Sequence, residues 1–286
     1  AALADMLIKA GAKVDVAAEG GLTPLFLAAQ SGHDSVVEAL LKAGASTELK
    51  TAEGNTPLIA AATMGHVGAV KALLAGGAKA DGPGADGRTP LMAASSGGRI
   101  AVVQLLVQKG ANARAEDDAG YTALHLAAAG GQVEAARALI DAGAPVNAAT
   151  RKEKITPLLI AATRGHGAVL RVLLEAKADA NLAAEGGATP LHAACGRGDA
   201  ESVEALLASG ASVGARDGEG MAALHWAVAS GSEKSVGLLL DAKADTEAQD
   251  GQGRTAMRYA AALGHSKIVE MLKRRGAQDT TGPAPR

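Results

Sequence analysis

A short anchor returns eight times along this chain at a near-constant interval, and that spacing dictates what the chain can fold into. Thr23-Pro24-Leu25 recurs as Thr56-Pro57-Leu58, Thr89-Pro90-Leu91, Thr122-Ala123-Leu124, Thr156-Pro157-Leu158, Thr189-Pro190-Leu191, Ala222-Ala223-Leu224 and Thr255-Ala256-Met257. Successive anchors lie 33, 33, 33, 34, 33, 33 and 33 residues apart. Every unit has Ala five positions after its anchor, Gly nine after and Leu seventeen after. Self-similarity at such a period marks a repeat architecture in which each unit contacts its neighbours and none folds alone.

Each unit reads as two short helices. Thr is a good N-cap, and Pro at the first helical position already has the right φ. The first helix, as in 23–31, stops at the recurring Gly. The second carries an apolar stripe, as in Val36, Val37, Leu40 and Leu41, and ends at Gly44-Ala45, where Gly can turn left-handed. A polar, Gly-rich turn leads to the next anchor. The composition fits stacked thin layers: 286 residues include 37 Gly, and the only aromatics are Phe26, Tyr121, Trp226 and Tyr259. Small residues let layers approach closely, whereas a single large barrel needs bulkier ones.

A 33-residue period with Thr-Pro-Leu-His opening two helices resembles the ankyrin repeat. Thr189-Pro190-Leu191-His192 matches in full; Thr122-Ala123-Leu124-His125 and Leu224-His225 match in part. Gly32-His33, Gly65-His66, Gly165-His166 and Gly264-His265 match a second signature. The resemblance implies an all-α solenoid of helix-turn-helix repeats with short β-hairpin turns, elongated and slightly curved. Eight anchored repeats and an amino-terminal partial repeat over 1–15 make one array spanning 1–280, with a disordered tail at 281–286. The chain opens inside a second helix (Leu3, Leu7, Ile8), so the parent protein is expected to continue upstream. Lys273, Arg274 and Arg275 give the last unit a polar cap. Lys177 and Lys243 stand where the other six units have Gly, which predicts strain of about 1 kcal/mol at each. The turn before Thr156 has an extra residue and lacks the usual Gly, which predicts a differently shaped finger.

Several other patterns carry chemistry elsewhere. His192 and Cys195 share a helix face, as a thiol nucleophile and its base would. Catalysis there requires an acidified Cys195, an oxyanion site and a third orienting group. No four-ligand zinc set can be assembled from these residues. Gly82-Pro83-Gly84-Ala85-Asp86-Gly87 has dinucleotide-fingerprint spacing but lacks a preceding strand, so it reads as a finger. Arg197-Gly198-Asp199 contains a structural turn Gly. All seven histidines occupy repeat slots and are expected to make hydrogen bonds within or between repeats. No cofactor or metal is expected.

Formal charge is −2, and no interval between anchors exceeds +1 before residues 255–286, which carry +4. Without a basic stripe or interleaved aromatics, nucleic acid is not the expected partner. No apolar run is long enough to span a membrane. The single cysteine fits an intracellular, cytoplasmic setting.

The informative positions are those that vary while the frame does not. The residue before each anchor, at the finger root, includes Asn55, Arg88, Tyr121, Ile155, Met221 and Arg254; the slot eight after includes Met64, Arg164 and Arg197. The resemblance places these slots on the concave, partner-facing side. Apolar, aromatic and arginine side chains on a rigid surface anchor interfaces. Trp226, four after its anchor, joins this set, and the same slot holds Tyr259; inter-repeat packing is the competing role for both. Arg164 and Arg197 predict an acidic partner segment. The expected function is a monomeric, non-enzymatic protein–protein interaction module. The alternative is a regulatory or spacer segment of a larger protein such as an enzyme, ubiquitin-ligase adaptor or channel.

Overall fold

The computed structural model describes residues 2–278, so the tail expected at 281–286 lies outside the described residues. The chain groups into two compact units, Ala1–Pro145 and Val146–Arg286. In the first unit, α1 (Ala2–Lys9) precedes four helix pairs: α2 (Pro24–Gln30) with α3 (Asp34–Lys42), α4 (Pro57–Met64) with α5 (Val67–Ala75), α6 (Pro90–Ser96) with α7 (Ile100–Gln108), and α8 (Ala123–Ala129) with α9 (Val133–Asp141). The second unit has α10 (Pro157–Arg164) with α11 (Gly167–Glu175), α12 (Pro190–Arg197) with α13 (Ala200–Ala208), α14 (Ala223–Ala229) with α15 (Glu233–Asp241), and α16 (Ala256–Ala262) with α17 (Ser266–Arg274). Within each unit the first helices of the pairs pack as one row and the second helices as another. This is the stacked helix-pair architecture expected from the repeat.

The anchors start the helices as their chemistry requires. Thr23 Oγ1 accepts from the Phe26 N–H at 3.1 Å, Thr56 Oγ1 from Ile59 at 3.3 Å and Thr156 Oγ1 from Leu159 at 3.2 Å. Each such cap satisfies one of the four orphan donors of a short helix. Two apolar slots then build the core. The anchor leucines from Leu25 to Leu224, with Met257, are at most 1% exposed. The leucines seventeen residues after each anchor, from Leu40 to Leu272, are also buried. Each buried leucine contributes roughly 1.5–3 kcal/mol. The alanine five after the anchor is buried in every pair, keeping the rows close.

Helix ends follow the glycines. Gly44, Gly77, Gly110, Gly143, Gly210 and Gly276 close the second helices with φ between 82° and 93°. Lys177 and Lys243 are forced into the same left-handed conformation, at φ 64° and 63°, as the sequence predicts. Lys154 likewise takes φ 55° in place of the finger glycine.

The fingers are tighter than extended hairpins. Among the described residues there are no strands, only two isolated antiparallel bridges, Arg216 with Ala222 and Gln249 with Thr255. In most fingers one residue's N–H donates to the carbonyl four positions on, as Thr51 to Asn55 and Asp217 to Met221, both at 3.0 Å. So short a loop has no room for a ladder. The finger before α10 spans five, Thr150 to Ile155 at 3.0 Å, which is the shape change expected from its extra residue. Neighbouring fingers within a unit are stitched by backbone: Ala52 donates to Gly20 at 2.7 Å in the first, and Gly218 to Gly186 at 2.7 Å in the second.

The ends of the described chain differ. Helix α1 buries no residue and exposes Leu3, Met6 and Leu7. Helix α17 instead exposes Lys267, Glu270, Lys273 and Arg274.

Candidate protein-binding surface

The anchor histidines hold the finger roots in register. His125 Nδ1 accepts from the Thr122 N–H at 3.0 Å, and His192 Nδ1 from the Thr189 N–H at 3.2 Å. His192 Nε2 donates to the Met221 carbonyl of the next finger root at 3.1 Å. His225 does the same one repeat on, accepting from Ala222 and donating to the Arg254 carbonyl, each at 3.1 Å. A ring that accepts at Nδ1 and donates at Nε2 is neutral. Burial lowers the pKa of both His192 and His225, opposed by those carbonyl bonds and by nearby carboxylates, so the neutral form is favoured.

The slot after the recurring Gly ties one repeat to the next. His66 Nε2 meets the Gln30 carbonyl at 3.1 Å, Arg99 Nε donates to Thr63 at 3.0 Å and Ser232 Oγ to Gly198 at 3.3 Å. Each fills an orphan acceptor in the last turn of the preceding first helix. Arg197, one helix over, does this from a different slot: its Nη1 donates to Thr163 at 3.1 Å.

A third device was missed by the sequence reading. In the last two fingers an aspartate ties the finger to the aromatic residue nine positions on. Asp217 Oδ1 accepts from Glu219 and Met221 at 2.9 Å each, and its Oδ2 accepts from the Trp226 indole at 2.9 Å. Asp250 accepts from Gln252 at 2.9 Å, from the N–H and Nε of Arg254 at 2.8 Å, and from the Tyr259 hydroxyl at 2.8 Å. Burial alone would raise the Asp250 carboxyl; these donors outweigh it and hold the pKa well below the usual carboxylate range. Arg254 also stacks 4.7 Å from the Tyr259 ring centroid. The signal was available, since Asp117, Asp217 and Asp250 share the slot five before the anchor.

The ten candidate contact residues divide by how committed they are. Met64, Arg88, Arg164 and Arg197 are exposed; Asn55, Tyr121, Ile155, Met221, Trp226 and Arg254 are half-buried. Arg254 is bound to Asp250, and Trp226 to Asp217. The Trp226 ring packs edge-on against His192, with centroids 5.9 Å apart, and lies beside Gly196. Tyr121 packs edge-on against His125. Asn55 hydrogen-bonds through its backbone to Thr51. Arg197 has one side-chain N–H engaged, whereas the Arg164 side chain makes no hydrogen bond or ion pair among the described residues.

Cys195 is fully buried, and burial pushes its thiol up to about 12. An acidified nucleophile is the opposite state. No group of three or more potential metal ligands occurs among the described residues, and no described helix is long and apolar enough to cross a membrane.

Stacked helix pairs stitched through their fingers, with variable side chains on a constant frame, define a helical-repeat scaffold. The comparisons specify it. A family model for ankyrin repeats, three copies long, matches residues 1–82, 69–150, 146–217 and 197–281. The chain belongs to the ankyrin-repeat family. The crystal structure of the human ASB11 ankyrin repeat domain is 30% identical, with a TM-score of 0.70 over 77% of this chain and 97% of that one. A search of curated proteins finds no match. Ankyrin repeats are generally protein–protein interaction modules, and the fold is typically non-catalytic.

Proposed function

We propose that this chain is a monomeric, non-enzymatic protein-binding module of an intracellular, cytoplasmic protein. Its contact surface is built from finger roots and first-helix ends, and an acidic partner segment is expected at Arg164 and Arg197. The observation that carries this is the contrast between frame and slots. The anchor, core and glycine positions repeat almost unchanged, while Met64 and Arg164, in the slot eight after the anchor, and Arg88, at a finger root, project as exposed, chemically different side chains. A surface held this rigidly loses little ordering entropy on association.

The test is affinity capture with two baits, the intact chain and a Met64→Glu, Arg88→Glu, Arg164→Glu variant whose circular dichroism matches it. A protein retained by the first and lost from the second supports the assignment. Identical captures, or none, would overturn it in favour of a regulatory or spacer segment.

A further inference from the structure

We infer that the second unit carries a two-part peptide site. An apolar trough over α12 takes one large hydrophobic side chain, and Arg164 with Arg197 at its rim takes an adjacent carboxylate. This deepens the reading of the surface as protein-binding and rests on it.

The trough follows from side-chain size in equivalent slots. At the finger roots the sequence runs Ile155, Ala188, Met221; four after the anchors it runs Ile160, Ala193, Trp226. Helix α12 packs between α10 and α14, so two small side chains are flanked on both sides by large ones. All six are half-buried, so their apolar surface remains partly open to solvent. Gly196 extends the small row: a Cβ there would lie 2.6 Å from the Trp226 ring. The indole therefore lies against the α12 backbone, and its N–H bond to Asp217 fixes it. One wall of the trough is thus a held aromatic plane, which costs little ordering entropy to use.

The rim supplies the second half of the recognition. Arg164 ends α10 and Arg197 ends α12. The Arg197 guanidinium lies over Gly165, the residue after Arg164: a Cβ on that glycine would meet its Nε at 2.7 Å. Arg164 and Arg197 therefore close neighbouring helices, with the Arg197 guanidinium lying over the turn that follows Arg164. Neither guanidinium has a carboxylate partner among the described residues. One Arg197 N–H is spent on Thr163, which leaves the rest of its planar fork available. Unpaired guanidiniums beside apolar walls select a ligand with an acidic group next to a large apolar one; a basic peptide would be repelled.

The test selects peptides from a random library lacking tryptophan on the full chain. It then titrates the winners while following Trp226, the protein's single tryptophan. The expected peptides pair Phe, Leu or Tyr with Asp or Glu and shift Trp226 emission. Arg164→Glu, which breaks no internal bond, should weaken them about tenfold or more, and Arg164→Lys should recover part of the loss. Met221→Ala should weaken them too, since every hydrogen bond of Met221 is made by its backbone and the substitution removes only its side chain. Winners that lack acidic residues, bind Arg164→Glu equally or leave Trp226 emission unchanged overturn the site while leaving the protein-binding reading intact. A library without winners also overturns the site, and the capture experiment then decides the broader reading independently.

Discussion

The finger before α16 and the finger before α12 have the same backbone and different side-chain support. Asp250 N–H donates to the Arg254 carbonyl and Ala184 N–H to the Ala188 carbonyl, each at 3.0 Å. Both fingers place a left-handed Gly, Gly253 and Gly187, two before the anchor. Beyond that they part. Asp250 gathers donors from its own finger, from the Arg254 guanidinium and from Tyr259 on α16, whereas Ala184 has no side-chain acceptor to offer. The turn therefore comes from backbone and glycine, and the brace between the finger and α16 comes from one carboxylate.

Removing that carboxylate should have the largest effect. Asp250→Ala leaves the Gln252 and Arg254 N–H groups and the Tyr259 hydroxyl seeking water, at a cost of about 2–3 kcal/mol. Urea unfolding measures the loss, and amide exchange should speed at 252–254 while 186–188 stay unchanged. Equal acceleration in both fingers would mean that the brace does not act locally.

Acid should dissolve the same brace. The folded Asp250 pKa lies below its unfolded value, so its contribution is full above the unfolded pKa of about 3.9 and is lost as pH falls toward the folded one. His192 and His225 are also depressed, and they lose their contribution earlier, as pH drops below about 6.5. A stability–pH curve for Asp250→Asn should therefore flatten the lower decline and slightly deepen the upper one, because Asp250 supports the charged form of His225. A variant curve parallel to the parent throughout would exclude Asp250 as the acid-sensitive group.

The backbone part of this contrast was legible in the sequence and the side-chain part was not. A left-handed residue has a strong local signature, so Lys177 and Lys243 in glycine slots announced their positive φ, and the extra residue before Thr156 announced the longer finger. The helix pairs followed from capping and apolar spacing in the same way. A brace depends on where a side chain turns in three dimensions. Arg254 and Trp226 were read as contact residues and Tyr259 as packing or contact, without the aspartate nine positions earlier that binds Trp226 and Tyr259. Asp117 shows why spacing alone is insufficient: it accepts from Ala119 and Tyr121 in its own finger at 3.0 and 2.8 Å, but nine positions on stands Leu126, which has nothing to donate.

Building the missing brace should have a smaller effect of opposite sign. Ala184→Asp places a carboxylate where Asp217 and Asp250 collect the N–H groups two and four residues on, here Gly186 and Ala188. A gain of about 0.5–1 kcal/mol is expected, with slower amide exchange at 186–188. It should fall short of the Asp250 loss because Ala193 occupies the slot held by Tyr259 in the other finger and donates nothing.

The smallest predicted effect is a control on the comparison. Lys177 precedes the unbraced finger and Lys243 the braced one, and both hold the same strained conformation. Lys177→Gly and Lys243→Gly should each stabilise by about 0.5 kcal/mol, because relief of left-handed strain is partly offset by the greater freedom of Gly in the unfolded chain. Chemical denaturation of the two variants should give equal shifts. A gain at Lys177 well above that at Lys243 would place the weakness of the α12 finger in the preceding helix end rather than in its missing carboxylate. Equal gains leave the aspartate as the difference between the two fingers.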